Sequence, residues 1–329
     1  MPVRATFRLE AWKLRQPFSI SRDTTEELGL VHCRIDRGPC TGFSEAAGVD
    51  YHGETPTSLK RELEAAIATN GFRWDRHALL EVLPAGGARN ALDCALWDLE
   101  AKEQGRRVWE LAGLPVPRAL RTTFTIGLAE PAKMAADVAF APPGAVLKLK
   151  LGARDGRDAD RVAVVRKASP RSAIVVDANE AWSLEELNDA ARALEQLGVS
   201  LIEQPLAVAD DAALDGYSGA LPLCADESFS DHSSFASLHS RYHVINIKLD
   251  KTGGLTEALR CAAAAQARGL ELFAGNMLGT SLGMAPAFLL AQRCRWVDLD
   301  GPLLLARDRE AAIRFDGSMM QPFGAEVWG

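Results

Sequence analysis

From about residue 120 onward, short apolar runs alternate with helical stretches, and this alternation constrains the fold more than any other feature of the chain. Eight runs can be counted: TTFTIG, VLKLKL, AIVVDAN, LIEQP, LPLCADES, VINIKL, LELFAGNM and WVDLD. Helical patterns lie between many of them. Ser183 with Glu186 forms a capping box whose helix stops at Gly198, and the Ala-rich stretch from Leu255 to Arg268 stops at Gly269. Strands alternating with helices predict a parallel sheet, and eight units predict a closed (β/α) barrel over residues 119–303.

Residues 1–118 read differently. Three strand-like runs, RATFRLEAWKL, LGLVHCRI and CTGFSE, precede helical stretches from about Thr57 and from Gly87. In the second stretch Ala88, Leu92, Ala95 and Leu99 recur at helical spacing before Gly105 ends the run. The expectation is an α+β domain joined to the barrel near LPVPRAL. The tail, residues 304–329, ends in strand-like AAIRFDG and is expected to return to that first domain.

Composition narrows the function. With 329 residues there is room for a barrel and a second domain. A net charge of -7 argues against non-specific nucleic-acid binding. No apolar run nears the roughly 20 residues that span a bilayer, and MPVRATFRLE has no signal-peptide core, so a cytoplasmic enzyme with no membrane partner is expected. The six cysteines show no CxxC spacing and read as reduced thiols, and the six histidines form no HExxH cluster. Any metal should therefore be held by oxygen.

Three acidic residues end successive runs: Asp177, Glu203 and Asp226, at intervals of 26 and 23 residues. In a parallel barrel such ends lie at the face that carries the active site, and neighbouring strands are about 4.8 Å apart, so the carboxylates can converge on one cation. Three hard oxygen donors favour Mg²⁺, with Mn²⁺ able to substitute.

Lysines flank the triplet. Lys150 lies 27 residues before Asp177, and Lys248 lies 22 after Asp226. Lys148 and Lys150 are two apart in a strand, so both face the barrel mouth, and their mutual repulsion is expected to lower a lysine pKa toward general-base range. Lys248, on the sixth strand, approaches from the other side. Two opposed lysines can remove a proton from one face of a carbon and return it on the other, while a cation on adjacent carboxylate oxygens stabilises the charge that develops. The reaction class is proton abstraction α to a carboxylate.

Further candidates surround these. Asp298 and Asp300, two apart before Gly301 and Pro302, suit a substrate ammonium, although a solvated turn is an equal reading. Arg22 in FSISR reads either as a surface residue or as a carboxylate binder over the barrel mouth, and GVDYHGE, with Tyr51, reads equally as a second flap or a plain connecting loop.

These residues resemble the enolase superfamily, in its muconate-lactonizing subgroup, over nearly the whole chain. KLK at Lys148 to Lys150, DAN at Asp177, EQP at Glu203, DES at Asp226 and NIKLDKTGG around Lys248 stand in the family's order. DLDG at Asp298 to Gly301, ARNALDCALWDLEAK and MLGTSLG point within it to the dipeptide epimerases. The resemblance implies a modified (β/α)7β TIM-type barrel under a capping domain, with Mg²⁺ on Asp177, Glu203 and Asp226. Use of a lysine base with Mg²⁺ and an enediolate is this superfamily's general pattern. It implies Lys150 and Lys248 as the acid/base pair, with Lys148 stabilising the substrate carboxylate and tuning Lys150. Asp298 and Asp300 would hold the ammonium of a dipeptide, Thr125 and Asn276 would line it, and Arg22 would pair with a glutamate side chain. L-Ala-D/L-Glu from murein peptide recycling is the substrate implied. The alternatives are o-succinylbenzoate synthase, N-succinylamino acid racemase or muconate cycloisomerase, and, more remotely, a non-catalytic metal-binding barrel. Asn276 departs from relatives that carry a small residue or cysteine there. A homo-oligomer is compatible with the chain, which fixes no assembly.

Overall fold

The structure, a computed structural model, describes residues 3–69 and 75–329, so Met1 and Pro2 of the N-terminal reading lie outside the described residues. Strands β1 (Val3–Ser19), β2 (Thr24–Arg37) and β3 (Cys40–Ala46) pair antiparallel in that order. Helices α1 (Pro56–Thr69), α2 (Arg76–Val82), α3 (Gly87–Gln104) and α4 (Val108–Leu111) follow.

α3 joins the two halves of the molecule. Its Ala88, Ala91, Leu92, Ala95 and Leu99 pack with Val31, Cys33 and Ile35 of β2, while Cys94, Trp97 and Ala101 belong to the barrel's core. It is therefore buried on nearly all sides, although its sequence pattern predicts a helix with one apolar face. α3 approaches β3 so closely that a Cβ on Gly42 would collide with the Ala95 carbonyl, which explains the glycine.

The barrel follows β4 (Leu120–Arg121). Its units are β5 (Thr123–Ile126) with α5 (Pro131–Asp137), β6 (Val146–Lys150) with α6 (Asp158–Ala168), and β7 (Ile174–Asp177) with α7 (Leu184–Gln196). After β8 (Val199–Glu203) and β9 (Leu223–Ala225) come short 3-10 segments, Val208–Gly216 and His232–Ala236. β10 (Tyr242–Ile247) leads into α8 (Leu249–Thr252) and α9 (Leu255–Ala267), and β11 (Glu271–Ala274) into α10 (Ser281–Ala291). β12 (Trp296–Val297) is followed only by the four-residue α11 (Gly301–Leu304). All eight sequence runs become strands, paired parallel in chain order from β5 to β12. The Ser183–Glu186 capping box starts α7 as the sequence predicts.

Side chains, rather than a backbone ladder, join β5 to β12. Thr122 Oγ1 accepts from Leu299 N at 2.9 Å, Thr123 Oγ1 donates to Asp298 Oδ1 at 2.6 Å, and Thr125 N donates to Asp300 Oδ2 at 2.6 Å. Thus the expected ammonium-binding pair also closes the barrel's seam.

The tail makes two sets of contacts. Strand-like AAIRFDG supplies β13 (Phe315–Asp316), which pairs with β14 (Met319–Met320), and β14 pairs with β4, not with the first sheet. A two-residue hairpin satisfies its backbone locally. Contact with the N-terminal elements is made elsewhere, by Leu305 bridged to Leu14, by Arg309 on Glu10 and Glu45, and by Trp328 and Gly329 on Cys94 and Asp98 of α3. More polar links tie the halves: Asp250 accepts from Gly48 N, Asp93 holds Thr256, and Arg89 caps the carbonyls of Thr252 and Gly253. All six cysteines are free thiols, and no helix among the described residues is long and apolar enough to cross a membrane.

Candidate active site

The barrel interior is layered by strand parity. Val146, Val175, Leu201, Cys224, Val244, Phe273 and Trp296 form one apolar cluster. Two residues further along each run stand Lys148, Asp177, Glu203, Asp226, Asn246, Gly275 and Asp298. Residues i and i+2 of a strand point to the same face, so an apolar plug lies directly beneath a polar floor. The position after β11 is glycine because a Cβ on Gly275 would run into Asn246, whose Nδ2 donates to Glu203 Oε1 at 2.7 Å.

Asp177, Glu203 and Asp226 converge as expected: all three are buried, and one oxygen from each lies within 4.8 Å of the others. Glu203 Oε2 is buried without a hydrogen bond, with Lys148 Nζ at 2.8 Å. Burial pushes the Glu203 carboxyl up to about 8, helped by Asp177, with Lys148 opposing. An all-oxygen triad with an unsatisfied buried acceptor fits a hard divalent cation such as Mg²⁺.

Four lysines surround the triad. Lys148 Nζ lies 2.8 Å from Glu203, 2.8 Å from Asp298 and 3.3 Å from Asp177. Lys150 Nζ lies 2.6 Å from Asp177, and Lys248 Nζ lies 2.6 Å from Asp226. Lys251, which sequence reasoning missed, is fully buried and donates to Asp226 Oδ1 at 2.6 Å and to the Asn246 carbonyl at 3.0 Å.

At Lys148 the expected depression is reversed. Burial pushes the Lys148 ammonium down, but Asp298, Glu203 and Asp177 together outweigh it and hold it well above the ordinary lysine value. Lys248 is likewise raised, burial being outweighed chiefly by Asp226. Lys251 falls, because burial there exceeds the attraction of Asp226. With carboxylates this close, opposite charge dominates repulsion between neighbouring lysines.

β6 and β10 are four strands apart in the eight-strand order, half the circuit, so Lys150 and Lys248 enter from opposite sides. Both line a cavity of about 280 Å³ together with Thr125, Lys148, Asn276, Asp298, Asp300, Arg22 and Tyr51. Every residue singled out above the triad is therefore brought to one chamber. Two placements differ in detail: Lys248 follows its strand as the cap of α8, and Asp298 and Asp300 lie beyond the two-residue β12. Asp298 keeps the inward parity of its run, two residues after Trp296, whereas Asp300 converges through the turn into α11.

Arg22 reaches the chamber already engaged, at 2.9 Å from Glu227 Oε1 and 3.2 Å from Glu180, with its guanidinium 5.2 Å from the Tyr51 ring centroid. Asp298 is lowered, burial being outweighed by Lys148, whereas burial and Asp298 push Asp300 up to about 7. Asn276 Nδ2 donates to the Asp298 carbonyl at 2.5 Å.

Asn179, Glu227, Asn246 and Lys251 went unrecognised in the sequence. Asn246 was readable from parity, two before Lys248. Asn179 and Glu227 stand inside DAN and DES but after their strands end, where alternation no longer predicts direction.

Residues 3–113 match the family described as mandelate racemase / muconate lactonizing enzyme, N-terminal domain, and residues 132–308 match the enolase C-terminal domain-like family. The chain is 39% identical over 308 residues to the L-Ala-D/L-Glu epimerase of Escherichia coli K12, covering 93% of this chain and 95% of that protein. It is 39% identical over 291 residues to the N-acetyl-D-glutamate racemase of Pseudoalteromonas sp, covering 88% and 91%. A solved enolase family member from Agrobacterium tumefaciens with homology to dipeptide epimerases, with sodium and L-Ala-L-Glu bound, superposes with a TM-score of 0.94 at 41% identity and full coverage of both chains.

Proposed function

The chain belongs to the mandelate racemase / muconate lactonizing enzyme family of the enolase superfamily, and on that premise we propose that it is a dipeptide epimerase acting on L-Ala-D/L-Glu. The observation that carries this reading is the placement of Lys150 and Lys248 half a barrel apart, in one chamber above three buried carboxylates. The reading extends to murein peptide recycling in the cytoplasm. With it goes a division into a capping domain (1–118), a barrel (119–303) and a returning tail (304–329).

Asp177, Glu203 and Asp226 would hold Mg²⁺, with Mn²⁺ as a substitute. When bound, the cation stabilises the negative charge that builds on the substrate carboxylate as the α-proton leaves. Lys150, as a free amine, takes the α-proton: the Cα–H bond breaks and an N–H bond forms. Lys248, as an ammonium, returns a proton to the opposite face, and the roles exchange in the reverse direction. Lys148 stays charged beside the substrate carboxylate. Asp298 and Asp300 hold the dipeptide's ammonium, Thr125 and Asn276 line its backbone, and Arg22, backed by Tyr51, meets the glutamate side chain.

The test uses Mg²⁺-loaded protein and L-Ala-D-Glu in D₂O. Wild-type protein inverts the α-carbon with deuterium incorporation, whereas Lys150→Ala and Lys248→Ala each abolish inversion and each retain exchange of one epimer. No inversion of any dipeptide in a small panel would defeat the proposal. One observation favours a second reading, an N-acylamino acid racemase. Lys148 neutralises Asp298, and Asp300 is pushed up to about 7, so a protonated Asp300 can donate to an acyl oxygen. Faster turnover of N-acetyl-D-glutamate than of L-Ala-D-Glu would select it.

A further inference from the structure

Lys150 and Lys248 have unequal surroundings. Lys248 Nζ has one side-chain partner among the described contacts, Asp226. Lys150 Nζ has two, Asp177 at 2.6 Å and Asn179 Oδ1 at 3.0 Å. Asn179 Nδ2 donates to Glu227 Oε1 at 3.3 Å, and the same oxygen accepts from Arg22 at 2.9 Å. The Asn179 carbonyl also accepts from Ser21 Oγ at 3.2 Å and from Arg22 at 3.5 Å. A continuous chain of hydrogen bonds thus runs from the loop between β1 and β2, through Glu227 and Asn179, to one lysine and not to the other.

The chemistry of the amide makes this link directional. The Lys150 ammonium can only donate and an ionised Glu227 can only accept, so one orientation of the Asn179 amide satisfies both, whereas Asp would lack the donor and Leu both donor and acceptor. Glu227 is itself buried, with Oε2 free of any hydrogen bond, so its contacts are concentrated on Arg22 and Asn179. The backbone underlines the point: Asn179 and Glu180 adopt φ values of 43° and 66°, in the left-handed region that non-glycine residues occupy at a cost. That turn aims the Asn179 side chain back over the end of β7, where its backbone N donates to Asp177 Oδ1 at 2.9 Å.

We propose that Asn179 is a positioning residue for Lys150, held in orientation by Glu227, and that this link makes proton transfer at the Lys150 face depend on the Arg22 loop while transfer at the Lys248 face does not. The inference rests on the epimerase reading and adds to it an inequality between the two half-reactions.

The experiment follows α-proton exchange in D₂O for each epimer of the dipeptide separately. The epimer still exchanged by Lys248→Ala defines the Lys150 face. Asn179→Gly is the main variant, because glycine accepts a φ of 43° without strain and so removes the side chain while keeping the turn. Exchange at the Lys150 face is expected to fall about 10- to 100-fold, the effect of losing one hydrogen bond to a charged group, with less than about threefold change at the other face. Glu227→Gln should reduce exchange at the same face, by less. Equal slowing at both faces would overturn the proposal, as would full activity in Asn179→Gly beside a defective Asn179→Ala, which would show that only the turn matters. Wild-type protein that exchanges neither epimer would defeat the epimerase reading instead. In that event competitive acetylation of the metal-free protein decides the positioning role: the ratio of Lys150 to Lys248 labelling should rise about threefold or more in Asn179→Gly, and an unchanged ratio would overturn it.

Discussion

Replacing Asp250 by Asn should stabilise this protein at alkaline pH and do nothing at acid pH. Asp250 sits where the first sheet's loop meets the barrel, 9% exposed, with Oδ1 accepting from Gly48 N at 3.0 Å. Burial, reinforced by Glu54 and Glu45, pushes its carboxyl up to about 6 from an ordinary 3.8, against the bonds from Gly48 and Asn90. A folded-state value above the unfolded one means that the folded chain binds the proton more tightly. The cost is absent below the unfolded value, grows as pH rises from about 4 to about 6, and is complete above that. A gap of about two units corresponds to about 3 kcal/mol. Asn keeps an acceptor for Gly48 N–H and removes the charge. Urea unfolding at pH 8 should therefore show a gain of up to about 3 kcal/mol for Asp250→Asn, shrinking toward zero near pH 4. Asp250→Ala is the control: it strands Gly48 N–H and should lose about 1–3 kcal/mol near pH 4, a loss that removal of the same buried charge offsets at pH 8. Equal shifts for Asp250→Asn at both pH values, or a loss at pH 8, would refute the reasoning.

Two further outcomes are expected. Adding Mg²⁺ to EDTA-treated protein should raise its thermal midpoint, with about 2.7 kcal/mol of stabilisation at a free concentration of 100 Kd, and Glu203→Gln should remove that shift in scanning calorimetry. Asp298→Asn should act on both stability and binding, because Asp298 pairs with Lys148 and closes the seam at Thr123: denaturant unfolding should show a loss of about 1–3 kcal/mol, and steady-state kinetics a raised KM for dipeptides.

Much of the site was legible because it obeys a local rule. Lys148, Asp177, Glu203 and Asp226 each stand two residues after an apolar residue of the same strand or run, and strand alternation alone sends them to the barrel's inside. Asn246 obeys the rule too and could have been found with it. The rule stops where strands stop, so Asn179 and Glu227, in turns with their own backbone geometry, could not be aimed from the sequence. Lys251 lies on the four-residue α8, too short for a helical period to show a face. The tail's strand pattern likewise announced a strand but not its partner: β13 pairs with β14, next in the chain.

The sequence by itself determined the barrel's eight strands, the order of its charged residues and the face each strand turns inward, since these depend on periodicity and turn chemistry within a few residues. Only the tertiary structure decided how charges far apart in the chain meet. It paired Lys148 with three carboxylates, so that attraction and not lysine repulsion sets its ionisation, made Asp298 and Asp300 the closure of the barrel as well as a wall of the chamber, and tied the Arg22 loop to Lys150 through Asn179. The physical reason is that electrostatic energy depends on distance and burial, and both are properties of the folded chain rather than of spacing along it.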